Sequence, residues 1–314
     1  METIRKKFLA FYEENKDKKF VISTHRKADL DSFVSAYALH TVFPNSLLAT
    51  PDTPNEAVQQ LMEKLKVKME TLGKVKKGGY EGLIVCDTSA YTLLEEAKKW
   101  NIVAIVDHHR AEGRDMKSEH EFWDDHSPST AEIVANILPQ VSRQQAHVLA
   151  LGIISDTARF KSARQSTFAT LAKMMEICGA NYAELLDLAE PELPDDLKIA
   201  VIKAMQRMEY RIIGRYVVVT SEVGSGEGEA SSFLSDIADV CFIASWKAEK
   251  QQTHISSRAR KHVTAALHEV MKEVSVQLNG NGGGHPKAAG AAVKAKPAEA
   301  LQVCLDVLSR KLGS

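Results

Sequence analysis

The 314-residue chain predicts an α/β protein, with a doubly wound parallel sheet in a first domain and a second, smaller α/β domain behind it. In the first half, short continuous apolar runs such as Gly82-Leu83-Ile84-Val85-Cys86 and Ile102-Val103-Ala104-Ile105-Val106 alternate with amphipathic stretches. That alternation is the mark of parallel strands buried on both faces and joined by helices. Reactive clusters close several of these runs, at the sheet edge where open parallel sheets bind their ligands. A polar, proline-punctuated segment, Glu190-Pro191-Glu192-Leu193-Pro194-Asp195-Asp196, then separates the halves.

Each element has its own signal. Residues 1–20 are charged and helical in pattern, and residues 19–24 read as a strand. A helix over 32–42, a strand over 46–50 and a helix over 55–65 follow, then the strand 82–86, a helix over 92–100 and the strand that enters Asp107. Beyond Ser127-Pro128-Ser129-Thr130 the pattern turns helical, over 131–138, 143–154, 166–178 and 182–188. A helix over 197–213 is expected to bridge the domains. That divides the chain into 1–188, a connecting stretch 189–213, and 214–314. In the last part, 216–220, 240–246 and 254–256 read as strands, and 263–278 and 298–312 as helices. A final strand falls near 291–293, and the glycines Gly226 and Gly228 suggest a surface loop.

Composition narrows the function. Hydrophobic residues make up 44% and charged residues 26%, the proportions of an ordinary globular protein. A formal net charge of -1 excludes a basic nucleic-acid coat, so a polyanion must be held locally and a short substrate fits better than a long duplex. The four cysteines Cys86, Cys178, Cys241 and Cys304 form no CxxC pair, which excludes zinc-finger chemistry and suggests buried free thiols. No stretch reaches the roughly 20 apolar residues of a membrane span, and no signal peptide is visible, so a soluble cytoplasmic protein is expected.

The chemistry concentrates in four places. Asp107-His108-His109 ends an apolar run with three groups that bind metals or move protons. His25, Asp29 and Asp31 follow a strand end, Asp87 closes another strand, and Asp156 follows the apolar stretch 148–154. Taken alone, Asp29 or Asp31 reads as well as a helix N-cap, Asp87 less readily so, and Asp156 as a loop aspartate. Together they supply ligands for two divalent cations, without which the crowded carboxylates would repel and take up protons. Asp87 has two oxygens and could serve both ions. Mixed imidazole and carboxylate donors suit Mn²⁺ best, with Mg²⁺, Co²⁺ or Zn²⁺ as alternatives. Paired metals are a known device for in-line attack on phosphorus. The second signal is Gly282-Gly283-Gly284-His285, whose backbone N–H groups could approach an anion closely. Ser256, Arg258 and Arg260 stand in the stretch Ser256-Ser257-Arg258-Ala259-Arg260, and with His285 the two arginines would complete a phosphate or nucleotide clamp.

This set resembles the DHH phosphoesterase family with a DHHA1-type C-terminal domain. The matching motifs occur in family order: His25-Arg26-Lys27-Ala28-Asp29-Leu30-Asp31, Cys86-Asp87, Asp107-His108-His109 and Ser155-Asp156. The stretch from Gly282 through His285-Pro286-Lys287 to Gly290 looks like the DHHA1 signature. The resemblance implies that one metal takes His25, Asp29 and Asp87, and the other Asp31, Asp87, His108 and Asp156. It implies that Asp107 orients a histidine, that His109 touches the scissile phosphate, and that Arg258 and the glycine stretch hold a terminal nucleotide. Ser32 follows the first aspartates where the family often has Ala or Gly, and Arg258-Ala259 replaces the frequent Arg-Ser. RecJ-type exonucleases are longer, and family II pyrophosphatases carry a different C-terminal domain. The chain is therefore similar to the short nanoRNase and 3′-phosphoadenosine-5′-phosphate phosphatase group. A phosphodiesterase that cuts short single-stranded oligonucleotides, linear or cyclic dinucleotides or related nucleotides is expected, with substrate held between the domains and a homodimer as the family's usual state. A pyrophosphatase or polyphosphatase, or a nucleotide sensor without activity, are the rivals.

Overall fold

The computed structural model describes residues 1–158, 160–189 and 194–313; the predicted boundary residues 190–193 lie outside the described residues. The chain divides into two units, Met1–Glu192 and Leu193–Ser314.

The first unit runs α1 (Glu2–Asn15), β1 (Phe20–Ser23), α2 (Leu30–Val42), β2 (Leu47–Thr50), α3 (Glu56–Leu65), β3 (Glu70–Thr71), β4 (Gly82–Cys86), β5 (Ile102–Asp107) and β6 (His120–Trp123). Four helices complete it: α4 (Thr130–Ile137), α5 (Arg143–Asp156), α6 (Gln165–Cys178) and α7 (Tyr182–Ala189). The strands are all parallel, in the order β3-β2-β1-β4-β5-β6. The order reverses between β1 and β4, so the loops after these two strands diverge and leave a crevice at their carboxyl ends.

Every residue of β1 and β4 is buried. Phe20, Ile22, Leu48, Ile84 and Val106 face the helices, where they join Phe33, Val34, Val134 and Leu149 in one core. Val21, Ala49, Leu83, Val85 and Ile105 face the other way, under Leu72, Leu94, Ala97 and Met116 from the connections. That second layer is thin. The helix expected over 92–100 is only a 3₁₀ turn at Glu95–Lys99, because Leu94 and Ala97, three residues apart, are the buried positions it offers. The strands β3 and β6 escape a sequence reading because β3 is fully exposed and β6 has Phe122 as its one buried residue. Gly152 lets α5 approach α2 and α4: a Cβ there would lie 2.6 Å from Val34 Cγ2 and 2.9 Å from the Ala131 Cβ.

The second unit comprises α8 (Asp195–Arg207), β7 (Glu209–Ile213), β8 (Tyr216–Val223), α9 (Glu227–Leu234), β9 (Val240–Lys247), β10 (Gln252–Ala259), α10 (Leu267–Gln277), β11 (Asn281–His285), β12 (Ala288–Val293) and α11 (Pro297–Leu312). Its sheet runs β11-β12-β10-β9-β8-β7 and is antiparallel except for the β8–β9 pair. Three expectations are corrected here. The helix expected over 197–213 stops at Arg207, and the rest is the edge strand β7. α8 is no connector, since its Val201 and Ala204 pack with Val219, Val223, Ala230 and Leu234 of its own unit. Gly226 and Gly228 begin α9 instead of forming a loop, with Gly226 in the left-handed region at φ 74. Among the described residues no helix is long and apolar enough to cross a membrane. The four cysteines are buried and free, as expected.

Candidate functional site

The reactive side chains of the first unit converge at the carboxyl ends of β1, β4 and β5, on the crevice side of the sheet. Asp87 ends β4 with φ 63, a left-handed backbone that Asp tolerates better than most residues. Its Oδ2 lies 3.4 Å from His25 Nε2 and its Oδ1 lies 3.5 Å from His108 Nε2. Thr130 donates its hydroxyl to Asp87 Oδ1 at 2.7 Å, which fixes the carboxylate plane. The two oxygens of one carboxylate thus face two histidines on opposite sides.

Around Asp87 the donors fall into overlapping groups. His25, Asp29 and Asp87 bring one ligand atom each within 4.8 Å of one another, as do Asp31, His108 and Asp156, and also Asp87, His108 and His109. Asp29 is an N-cap as well: it accepts from Ser32 N–H at 3.0 Å at the start of α2, while 3.9 Å separates its Oδ1 from His25 Nε2. Capping and ligation do not exclude each other, because a carboxylate has several lone pairs. Asp31 is buried. It accepts from the Thr130 and Ala131 N–H groups, both at 2.8 Å, at the positive end of α4. Asp156 is not at a strand end. It is the last residue of α5, which carries its Oδ2 to 3.5 Å from His108 Nε2.

The donor set fits divalent cations on three counts. Both His25 and His108 turn Nδ1 to a backbone carbonyl, Arg26 at 2.8 Å and Ser127 at 3.3 Å, and so present Nε2 to the cluster. Burial, then the charges of Asp87 and Asp156, raise the Asp31 carboxyl well above its usual range. Burial likewise pushes Asp156 up to about 6, with His108 opposing and Asp87 reinforcing the shift. Burial disfavours a charged His25, yet the Asp87 hydrogen bond and charge outweigh it and push the ring up to about 9. A cluster that protonates its carboxylates and charges its histidine lacks positive charge, which bound cations supply.

Asp107 is fully buried and touches no other donor of these groups except His109. Its Oδ1 accepts from His109 Nδ1 at 2.8 Å and from His109 N–H at 3.1 Å, and its Oδ2 accepts from the Ser89 hydroxyl. The Asp107 hydrogen bond pushes His109 up to about 9, against burial. Burial raises Asp107, but the hydrogen bonds from His109 and Ser89 outweigh it and hold the carboxyl below its usual range. His109 is half exposed, beside a cavity of about 370 Å³ lined by His108, Asp156, Arg110, His126, Ser162 and Arg164, among others. The cations Arg110 and Arg164 suit a phosphate in that cavity. They, Thr130 and Ser89 were missed as site residues; Arg110 directly follows the triplet, but the others carry no local signal.

In the second unit the predicted substrate residues separate by face. Paired residues of neighbouring strands point the same way. The register sets Arg258 beside Ala288 and His285, Ser256 beside Gly290 and Gly283, and His254 beside Ala292 and Asn281. These rows share one face. Ile255, Ala291 and Gly282 form a row on the other, with Ile255 and Ala291 in the core. The glycine stretch is therefore a strand, β11. Gly282 serves packing, since its Cβ would lie 2.3 Å from the Met271 carbonyl oxygen, and Gly284 has φ 132. Gly283 has open space above it. Ser256, Gly283 and Gly290 floor a cavity of about 600 Å³ walled by Glu227, His254 and Asn281. Arg258 shares the face, whereas Arg260 donates to the Ser235 and Asp236 carbonyls at the end of α9 and does not join it.

The chain matches the DHH family, N-terminal domain, over residues 19–153 and the DHHA1 domain over residues 217–314. An uncharacterised protein of Methanocaldococcus jannaschii is 26% identical over 284 residues, 85% of this chain and 84% of that one. An exopolyphosphatase-related protein from Bacteroides fragilis has a similar structure, with TM-score 0.76 and 14% identity over 99% of this chain and 96% of that one. RecJ from Thermus thermophilus, solved with Mn²⁺, gives TM-score 0.52 and 13% identity over 99% of this chain and 55% of that one. At these identities the two structures share a fold with this chain.

Proposed function

Because the chain belongs to the DHH family of metal-dependent phosphoesterases, with a DHHA1 domain behind the first, we propose that it hydrolyses short oligonucleotides and linear dinucleotides to mononucleotides. His25, Asp29 and Asp87 would hold one divalent ion, and Asp31, Asp87, His108 and Asp156 the other, with Mn²⁺ the best match to the mixed donor set. Mn²⁺ in the RecJ structure points the same way. The observation that carries the reading is Asp87, whose oxygens face His25 on one side and His108 on the other. Such ions, when bound, lower the pKa of a water and offset charge on the phosphoryl oxygens.

The chain's own groups have separate tasks. Thr130 and the start of α4 orient Asp87 and Asp31 before any ion arrives. His109, with Nδ1 tied to Asp107, turns Nε2 toward the phosphate and donates to it. The floor of Ser256, Gly283 and Gly290 accepts a flat nucleotide, and Arg258 and His285 in the next row hold its phosphate. A net charge of -1 matches a substrate of a few nucleotides.

Purified protein with Mn²⁺, offered di- to pentanucleotides, cyclic dinucleotides, 3′-phosphoadenosine-5′-phosphate and pyrophosphate side by side, tests this. Release of mononucleotides from the linear oligomers is expected. Rapid orthophosphate release from pyrophosphate with intact dinucleotides would reject it.

A further inference from the structure

Outside the metal-donor groups, one buried cation is tied to His109 by two separate routes. Arg114 keeps only 9% of its side chain exposed. Its Nε donates to Ser89 Oγ at 2.7 Å, and its Nη2 donates to Glu121 Oε2 at 2.7 Å. Its guanidinium also lies over the Trp123 ring, 4.4 Å from the centroid. Along the first route Ser89 donates to Asp107, and Asp107 accepts from His109 Nδ1. Along the second, Trp123 Nε1 donates to the His109 carbonyl at 2.7 Å. The segment carrying Arg114 is pinned in turn, since the Asp115 and Met116 N–H groups donate to the Ser89 carbonyl.

The direction of every link on the first route follows from Arg114. A guanidinium only donates, so Ser89 accepts from it. The single Ser89 proton is then free for Asp107, a carboxylate that only accepts. Asp107 in turn takes the proton side of His109 Nδ1, which leaves Nε2 facing outward. Lysine could not replace this arrangement: two N–H donors fixed in one plane and the face of that plane are in use at once.

We propose that Arg114 is a positioning residue that sets the orientation and tautomer of His109 through Ser89 and holds its backbone through Trp123. The proposal rests on the reading of His109 as the group that meets the scissile phosphate. Arg114 touches neither substrate nor metal; it acts through His109.

The test uses the full chain with Mn²⁺ and whichever phosphodiester it turns over, bis(p-nitrophenyl) phosphate serving as the generic probe. Arg114→Lys and Ser89→Ala should each lower kcat by about tenfold or more, the equivalent of ~1.4 kcal/mol in the barrier, with KM and calorimetric Mn²⁺ affinity unchanged. Trp123→Phe, which keeps the ring face and loses the N–H, should give a smaller loss. In a His109→Ala background the same three substitutions should cost nothing further, because their effect passes through a ring that is gone. A readout independent of turnover is the ¹H–¹⁵N spectrum of the histidine rings in metal-free protein, recorded at about pH 10, where the His109 ring, pushed up to about 9, has given up its second proton. His109 should show one Nδ1–H tautomer in the parent and a mixture in Ser89→Ala. Equal losses with and without His109, or a single tautomer in Ser89→Ala, would overturn the positioning role. Parent-like activity of His109→Ala itself would instead remove the premise, and so separates the two failures.

Discussion

Removing divalent ions should make the first unit progressively less stable as the pH rises from 6.5 to 9, the reverse of what acid-sensitive carboxylates alone would give. His25 is one contributor: its ring is 13% exposed, and although burial disfavours its charge, Asp87 pushes its pKa from 6.5 to about 9; the Asp31 carboxyl, raised well above its usual range by burial and by Asp87, acts in the same direction. A group whose folded pKa exceeds its unfolded value stabilises fully below the unfolded value and loses that contribution as pH climbs through the folded one. Raising the His25 ring from 6.5 to about 9 is worth about 3 kcal/mol. His109, also pushed up to about 9, has the same sign, and exposure to water weakens its share. Asp156, raised from 3.8 to about 6, again has that sign, but its contribution is lost below pH 6.5. Asp107 has the opposite sign and matters only in acid. Urea unfolding of EDTA-treated Trp246→Phe protein, with Trp100 and Trp123 of the first unit as fluorescent reporters, measures the effect. Adding Mn²⁺ should stabilise, by ~2.7 kcal/mol at a hundredfold excess over Kd, and more at pH 8 than at pH 6, because protons compete for the same atoms. Metal-free stability that stays flat or rises between pH 6.5 and 9 would refute the reasoning.

Other substitutions separate ligation, packing and binding. Asp87→Asn should abolish turnover and reduce the bound Mn²⁺, counted by elemental analysis, since both donor groups lose a charged oxygen; retention of more than about a tenth of the rate, only ~1.4 kcal/mol in barrier, would contradict a shared ligand. Gly283→Ala should fold normally and raise KM for nucleotides, while Gly282→Ala should lower the melting temperature of the second unit, because its Cβ would meet the Met271 carbonyl at 2.3 Å. Arg258→Ala should raise KM for dinucleotides and spare a small generic phosphodiester; equal losses on both would speak against a clamp.

The first unit was readable wherever one residue type carries two messages. The runs ending in Asp87 and Asp107 announce a buried strand and a reactive terminus together, and β4 and β5 lie where the apolar runs placed them. Elements stabilised only by neighbours left no such trace. Edge strand β7 has one buried residue, and β11 is a strand because β12 pairs with it and α10 packs on Gly282. Asp156 follows a stretch expected to be helical over 143–154, and α5 extends two residues further to end on it, which carries its carboxylate to His108. Ser89, Arg114 and Thr130 were invisible for another reason: Ser89 and Arg114 are 25 residues apart, and Thr130 and Asp87 are 43 apart. No local pattern marks pairs that only the fold brings together.

The backbone twist at Asp87 has a consequence for durability. A left-handed residue with a side chain carries strain on the order of 1–2 kcal/mol, and here it adds to the repulsion among carboxylates that share the crevice. Glycine at this position would relieve both, but it would also strip His25 and Thr130 of the carboxylate they face. On the proposed reading the twist aims both oxygens of Asp87 at once, so local strain persists where the ligands are set and is offset by the contacts it allows.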